Sequence, residues 1–214
     1  MKVINYSLLL LVVITLLNAC KGEVARVVKL EFSKEQISLI EEGDSLTSMR
    51  VLKITNRKDS LLLREESKDV TFAKGDSSLY YFSKRLVATV QDTINLGVGI
   101  AAPQVGILKN IICVQRFDKE EEPFEVYYNP TITQYTKKTQ PCKEGCLSIP
   151  GRSDTLEIRA YAILLEYNNL NGEHQYEMIE DFTAVIFQHE IDHLKGILYT
   201  DYLHEKAHAE GRKH

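Results

Sequence analysis

The feature that most constrains this chain is residues 189–193, whose sequence is HEIDH. Side chains four positions apart leave the same face of a helix, so a helix here would direct His189 and His193 toward one metal ion. Val185 lies four positions before His189, which favours a face that turns inward. The alternative interpretation is that both histidines are polar residues on a helix surface.

Two further residues would complete a metal site. Glu190, between the histidines, is a natural proton carrier for metal-assisted hydrolysis. Cys146, in the segment 144–148 with the sequence EGCLS, offers a thiolate as third ligand and leaves a fourth position open for water, as catalytic sites do. A thiolate beside two imidazoles suits Fe(II), Zn, Co or Ni and disfavours Mg or Ca. A buried free cysteine can also be simply a small hydrophobic residue.

A third segment, residues 97–104 with the sequence GVGIAAPQ, has two glycines spaced as in a dinucleotide-binding loop. The third glycine of that loop is missing, and the segment follows a predicted helix rather than a strand, so we exclude this interpretation. Glycines here favour a backbone that passes close to a ligand. Gln104 would then bring an amide donor to the metal. A plain loop between helix and strand is the alternative.

The length of 214 residues is enough for one domain with a sizeable core. Hydrophobic residues make up 44% and charged residues 26%, which is typical of a soluble globular protein. The formal net charge of -4 argues against nucleic acid as the main partner, because no excess of lysine and arginine is available to neutralise phosphates.

The N-terminus resembles a bacterial lipoprotein signal. Lys2 precedes an apolar run over residues 7–17, which is shorter than the roughly 20 residues of a membrane-spanning helix and suits a secretory signal. The following LNAC sequence resembles a lipobox, in which Cys20 would be lipidated after removal of residues 1–19. The predicted product is a membrane-anchored lipoprotein that faces the periplasm or exterior. A buried core helix is the alternative.

Three further regions are predicted after the signal. Residues 20–48 are interpreted as a spacer with a short helix, which a capping box at Ser33 would open and Gly43 would end. Residues 49–203 are the predicted globular domain. Residues 204–214 are a charged tail, in which His204 and His208 are interpreted as solvated.

Within the domain, the apolar spacing predicts a helix over residues 77–96, ended by Gly97, and a second over residues 181–195 with Asp181 as its cap. The sequence Asn171-Gly172 predicts a hairpin turn. A strand-rich middle between two long helices, without strict alternation, indicates an α+β domain. Strands are predicted at residues 51–54, 111–115, 125–128, 161–167 and 174–177.

In this order and at these separations, the three segments 97–104, 144–148 and 189–193 resemble the signature motifs of peptide deformylases. These are metallohydrolases that remove the formyl group from the N-terminal methionine of new bacterial polypeptides. The resemblance runs from about Met49 to Leu203. It implies an α+β fold with small mixed or antiparallel sheets packed around a central metal-binding helix. It also implies one divalent ion per chain, Fe(II) being expected and Zn, Ni or Co being able to substitute.

The resemblance also implies a role for each motif residue. Glu190 would take a proton from the metal-bound water and deliver it to the departing amine. The oxyanion that develops on the formyl group would be held by the metal, the Gln104 amide and the Leu147 backbone N–H. The implied metal ligands are Cys146, His189 and His193.

The implied substrate is an N-formylmethionyl peptide, which would lie as an added strand against the backbone. The backbone positions expected to bind it are Val98, Gly99 and Gly145. The expected lining of the pocket for the methionine side chain is Cys142, Phe182, Val185 and Ile186. The protein is expected to be a monomer.

An exported deformylase would not meet nascent chains, which leaves two explanations open. The protein would act outside on released formyl-peptides, or translation would also start at Met49 and give a cytoplasmic form. Two other functions also stay open: a relative that acts on another N-acyl peptide, and a metal-binding lipoprotein without activity. Outside the cytosol, a disulfide between Cys142 and Cys146 would remove the proposed ligand.

Overall fold

The computed structural model describes residues 31–72, 77–93 and 96–203. The predicted signal at residues 1–19, Cys20 with its lipidation, and the tail at 204–214 all lie outside the described residues. Among the residues described, no helix is both long and apolar enough to cross a membrane.

Four α-helices are described. They are α1 (Lys34–Ile40), α2 (Arg57–Leu62), α3 (Ser78–Val90) and α4 (Asp181–Leu194). The predicted capping box opens α1, since the Ser33 hydroxyl accepts the Gln36 N–H and the Gln36 side chain accepts the Ser33 N–H. The helix ends at Ile40, before Gly43. The prediction for α3 was too long, because the helix ends at Val90.

The described residues contain seven strands. They are β1 (Gly99–Ala101), β2 (Ile111–Gln115), β3 (Phe124–Tyr135), β4 (Thr139–Cys146), β5 (Ile149–Ala160), β6 (Ala162–Asn168) and β7 (His174–Glu180). They form two antiparallel sheets, a larger one with the order β1-β2-β3-β6-β7 and a separate two-stranded hairpin of β4 and β5. This confirms the predicted α+β class with small sheets.

One predicted strand needs correction, and two further regions contain strands that were not predicted. Residues 51–54 are extended but belong to no strand, because Leu52 and Ile54 donate their N–H groups to different segments, at Gln104 and Ser148. Residues 97–104 are not a plain loop, since they contain β1 and the start of a 3-10 turn over Ala102–Val105. The β4–β5 hairpin was not predicted at all.

Strand β2, second in the five-stranded sheet, lies between α3 and α4, which explains why it is buried on both faces. Ile111 and Cys113 pack in the cluster that contains α3, whereas Ile112 and Val114 pack in the cluster that contains α4. Twelve of the fourteen residues of α4 are buried. The predicted central helix is therefore confirmed, and its polar residues are enclosed by protein.

The described part of the predicted spacer belongs to the folded unit. The Phe32 ring packs edge-on against Phe82 of α3 at 5.5 Å between centroids. Arg85, which is 3% exposed, donates hydrogen bonds to four carbonyl oxygens of this segment. The four acceptors are Leu39, Ile40, Thr47 and Ser48. Residues 31–48 of the predicted spacer 20–48 therefore pack against α3 as part of the folded unit.

Candidate active site

Helix α4 brings the two predicted histidine ligands together. His189 is 9% exposed and His193 is 1% exposed, and their ring centroids lie 5.1 Å apart. The spacing of four residues puts both rings on one face, as the sequence predicted. Imidazoles buried this deeply need polar partners. The neighbouring hairpin supplies them to Nδ1 of His189 and Nε2 of His193, whereas Nδ1 of His193 has none among the described residues.

The last residue of β4, Cys146, lies against this histidine pair. Its Sγ is 3.2 Å from Nε2 of His193. One donor atom each of Cys146, His189 and His193 falls within 4.8 Å of the others. Since Cys142, Glu144 and Cys146 alternate along β4, their side chains share the face directed to α4.

The carboxylate on that face, Glu144, belongs to a functional residue that the sequence reasoning missed. Oε2 of Glu144 lies 2.8 Å from Nδ1 of His189. This contact leaves Nε2 as the nitrogen of the His189 ring that can bind a metal ion. Arg159 of β5 binds both carboxylate oxygens of Glu144 and also reaches Asp192 at 2.7 Å. The period of two from Cys146 back to Glu144 was the signal that could have indicated it.

The electrostatic environment favours a thiolate at Cys146. Burial opposes its ionisation, but His193 and His189 hold the pKa of this thiol well below its ordinary value. Burial likewise opposes a charge on His189, but hydrogen bonds to Cys146 and Glu144 raise its pKa well above the ordinary value. Both shifts favour the ionised forms of Cys146 and His189, and a metal ion held by these residues would bind in competition with protons.

Glu190 lies deep in the same site. The residue is 4% exposed, and burial raises the pKa of its carboxyl to about 7. Its Oε2 has no hydrogen-bond partner among the described residues. A Cβ at Gly99 would lie 2.5 Å from Oε1 of Glu190. Gly99 therefore makes room for this carboxylate. This contact within the protein explains the glycine more directly than the predicted approach of a ligand does.

Gln104 enters the site from the 3-10 turn with its amide oriented. Its Oε1 accepts the Ala101 N–H at 2.8 Å, so Nε2 faces the opposite way. Nε2 lies 3.2 Å from the Ser148 hydroxyl and 3.6 Å from Sγ of Cys146. The amide nitrogen therefore lies beside the candidate ligand, as the sequence predicted.

A cavity of about 650 Å³ opens onto these groups. Leu147 and every residue predicted to bind the peptide line it. The walls include Val98 and Phe182, which are 36% and 40% exposed. The predicted peptide-binding residues are Val98, Gly99, Cys142, Gly145, Phe182, Val185 and Ile186.

The strand geometry answers the question of a disulfide within β4. Cys142 and Cys146 are free cysteines. Four residues of extended strand span about 13 Å at about 3.3 Å per residue, whereas a disulfide needs Cα atoms within about 7 Å. The two thiols cannot pair while β4 is intact, so an oxidising compartment does not close the site by this route.

The donor set fits one divalent transition-metal ion. A thiolate and two imidazoles, converging and largely buried, are the ligands such ions prefer. The partnerless Oε2 of Glu190 beside them is explained by a ligand or water held at the centre. The three metal-binding side chains, the buried carboxylate of Glu190 and the open cavity together define the class of the protein, which is a metal-dependent hydrolase.

Comparison with known proteins identifies the family. The family model described as polypeptide deformylase matches residues 51–209, so the chain belongs to the peptide deformylase family. It is 38% identical over 155 residues to a peptide deformylase of Caulobacter sp. (strain K31). The aligned region covers 72% of this chain and 87% of the relative. A relative from Finegoldia magna is 37% identical over 140 residues, covering 65% and 82%.

Solved structures agree with this assignment. A class I type b peptide deformylase from Acinetobacter baumannii with bound Met-Ala-Ser is similar, with a TM-score of 0.63, 31% identity, and coverage of 72% of this chain and 98% of that one. The enzyme from Thermotoga maritima gives a TM-score of 0.62 at 33% identity, with coverage of 72% and 96%. The reaction is therefore removal of the N-formyl group from methionyl peptides.

Proposed function

We propose that this protein removes the formyl group from N-formylmethionyl peptides at the Cys146, His189 and His193 centre, with Glu190 as the proton carrier. The observation that carries this proposal is the Glu190 carboxylate, which is buried, lines the same cavity as His189, and has an oxygen without a partner among the described residues. A binding module has no need of such a group. The alternatives of an inactive lipoprotein and of a different N-acyl substrate are not favoured.

We propose Fe(II) as the native ion, with Zn, Ni or Co able to take its place. Held by the three ligands, such an ion supplies Lewis-acid activation of water and of the formyl oxygen. Glu144 and Arg159 hold the His189 ring in place for this ion, through the 2.8 Å contact between Glu144 and His189.

Glu190 performs the proton transfers in this mechanism. A carboxyl with a pKa of about 7 both accepts and releases a proton near neutral pH. It takes a proton from the attacking water and gives it to the amine nitrogen of methionine as the C–N bond breaks. The products are formate and a free amino terminus.

Two neutral donors hold the charge that develops on the formyl oxygen. Gln104 Nε2 is aimed by the bond between its Oε1 and the Ala101 N–H, and the Leu147 N–H is the second donor. The Gln104 amide is held by this bond and the Leu147 donor is part of the backbone, so little reorganisation is needed as the charge develops.

The peptide lies between the backbone at Val98 and Gly99 on one side and at Gly145 on the other. Backbone hydrogen bonds of this kind give affinity without demanding a particular sequence. The methionine side chain enters the pocket formed by Cys142, Phe182, Val185 and Ile186.

For location, we propose the lipoprotein form, anchored to the membrane through lipidated Cys20 and acting on released formyl-peptides. The packing of residues 31–48 on α3 supports it over a start at Met49, which would remove all four carbonyl acceptors of buried Arg85. Mass spectrometry of the native N-terminus tests this proposal. A lipidated Cys20 supports it, and a chain that begins at Met49 contradicts it.

The reaction is tested with two peptides that differ only in the acyl group. The purified full-length protein, prepared without oxygen, should release formate from formyl-Met-Ala-Ser and leave acetyl-Met-Ala-Ser intact. Cleavage of the acetyl peptide at a similar rate would favour the broader N-acyl substrate class. Bound metal with neither reaction would favour the inactive lipoprotein.

A further inference from the structure

The extended segment 52–54 connects the two parts of the chain that carry the proposed oxyanion donors. Leu52 donates its N–H to the carbonyl oxygen of Gln104 at 2.7 Å. Ile54 donates its N–H to the carbonyl oxygen of Ser148 at 2.9 Å, directly after Leu147. The two donors are far apart in sequence, so their relative position depends on contacts of this kind.

Lys53, at the centre of this segment, adds a bond from its side chain. Its Nζ donates to the carbonyl oxygen of Leu147 at 2.5 Å, in a partly buried position, and the residue also lines the cavity. A bond from an ammonium group is stronger than one between neutral groups. The side chain thus holds the very residue whose N–H is proposed to face the substrate.

The other side of Lys53 is anchored to the protein. Its backbone N–H donates to Oδ2 of Asp59 at 3.1 Å. Asp59 is 6% exposed and forms a two-bond ion pair with Arg50. The ammonium group therefore reaches Leu147 from a backbone that is itself fixed, as a positioning contact requires.

We propose that Lys53 is a positioning residue of the oxyanion site. Its ammonium fixes the Leu147 backbone, so that the Leu147 N–H points to the place where negative charge develops on the formyl oxygen. This inference rests on the proposed function, because it takes that N–H as a donor. Catalytic donors must be held within about 0.5 Å of the productive position, and a misplacement of about 1 Å can cost about 10²-fold in rate.

The test compares K53M, K53Q and K53R with the wild type on formyl-Met-Ala-Ser, with activity expressed per bound metal ion. We expect K53M to lower kcat by about 10-fold, since the donor is misplaced but not removed. KM should change little, because the peptide's own contacts remain. Arginine should restore most of kcat, and glutamine should give an intermediate value.

Lys58, which is exposed in α2, provides the matched control. K58M should behave as the wild type, and all variants should keep the wild-type metal content. Wild-type kcat in K53M, or a loss confined to KM, would overturn the inference and leave the proposed function intact. If K53M lowers the Tm, the inference is judged by the ranking of kcat per bound metal ion. The ranking K53R, then K53Q, then K53M supports it, and any other ranking overturns it. A wild-type protein that releases no formate would instead overturn the proposed function.

Discussion

Oε2 of Glu144 lies 2.8 Å from Nδ1 of His189, and the same carboxylate is held from behind by Arg159. This contact fixes the ring orientation of a candidate metal ligand before any metal binds. Since Arg159 and Glu144 are 3% and 5% exposed, water does not compete for these bonds. The metal centre is therefore held by the β4–β5 hairpin as well as by α4.

Replacing this carboxylate should weaken metal binding. We expect Glu144→Gln to lower metal affinity by about 10- to 100-fold, because the ring of His189 loses its charged acceptor. Competition with a chelator measures the effect. Glu66→Gln, at an exposed position, is the control. Equal affinities in all three proteins would show that Glu144 has no part in holding the metal.

Removing the proton carrier should separate binding from turnover. We expect Glu190→Gln to retain the metal and to lower kcat by about 10²- to 10⁴-fold, the usual contribution of general acid–base catalysis. Metal analysis and formate release on the same sample provide the measurement. Turnover close to that of the wild type would mean that another group moves the proton.

Filling the space at Gly99 should displace the same carboxylate. A Cβ there would lie 2.5 Å from Oε1 of Glu190 and 2.8 Å from Cγ2 of Ile186. We therefore expect Gly99→Ala to reduce kcat strongly while the metal content is kept. Steady-state kinetics with metal analysis checks this outcome. An alanine variant with unchanged kcat would show that Glu190 can work from a shifted position.

The segment before Met49 should contribute to stability. Deleting residues 1–48 removes the four carbonyl acceptors of Arg85. We expect a loss of about 3 kcal/mol or more in the free energy of unfolding, because each hydrogen bond to a charged group contributes about 1.5–3 kcal/mol. Deletion of residues 1–30 is the control, measured by urea unfolding. Equal stability of the two deletion forms would contradict a stabilising role of residues 31–48 and remove this argument against a start at Met49.

The ion pair between Asp59 and Arg50 should make stability depend on pH. The hydrogen bond from Arg50 holds the pKa of Asp59 below its ordinary value of 3.8. A lowered folded-state pKa adds stability above the unfolded value, and this stability is lost as pH falls through the folded one. Asp59→Asn should therefore be less stable than the wild type at pH 7, with the gap closing below about pH 4. Thermal unfolding across this range measures the gap. A stability difference between Asp59→Asn and the wild type that does not change with pH would contradict an origin in the ionisation of Asp59.

Regular periodicity made α4 and β2 predictable. The sequence predicted helix 181–195 and strand 111–115, and the structure has Asp181–Leu194 and Ile111–Gln115. The β4–β5 hairpin was missed because most of its residues are exposed. Its sequence therefore lacks the alternation of apolar and polar residues that predicts a strand. Residues 51–54 have the composition of a strand, yet they bond to two different segments.

The part of the candidate site that lies in one short motif, residues His189, Glu190 and His193, was predictable from the sequence. The residues that support it come from distant positions. Arg159 reaches Glu144 only because the hairpin folds back on itself, and Lys53 reaches Leu147 across 94 positions. Such contacts depend on tertiary structure and have no local spacing that a sequence could reveal.

The most direct test of the central claim is a metal titration of the metal-free protein under exclusion of oxygen. Formate release from formyl-Met-Ala-Ser should rise in proportion to bound Fe(II) and reach its plateau at one equivalent. The Cys146→Ala variant should bind the ion far more weakly. Formate release by the metal-free protein, or a plateau at two equivalents, would contradict a single centre built from Cys146, His189 and His193.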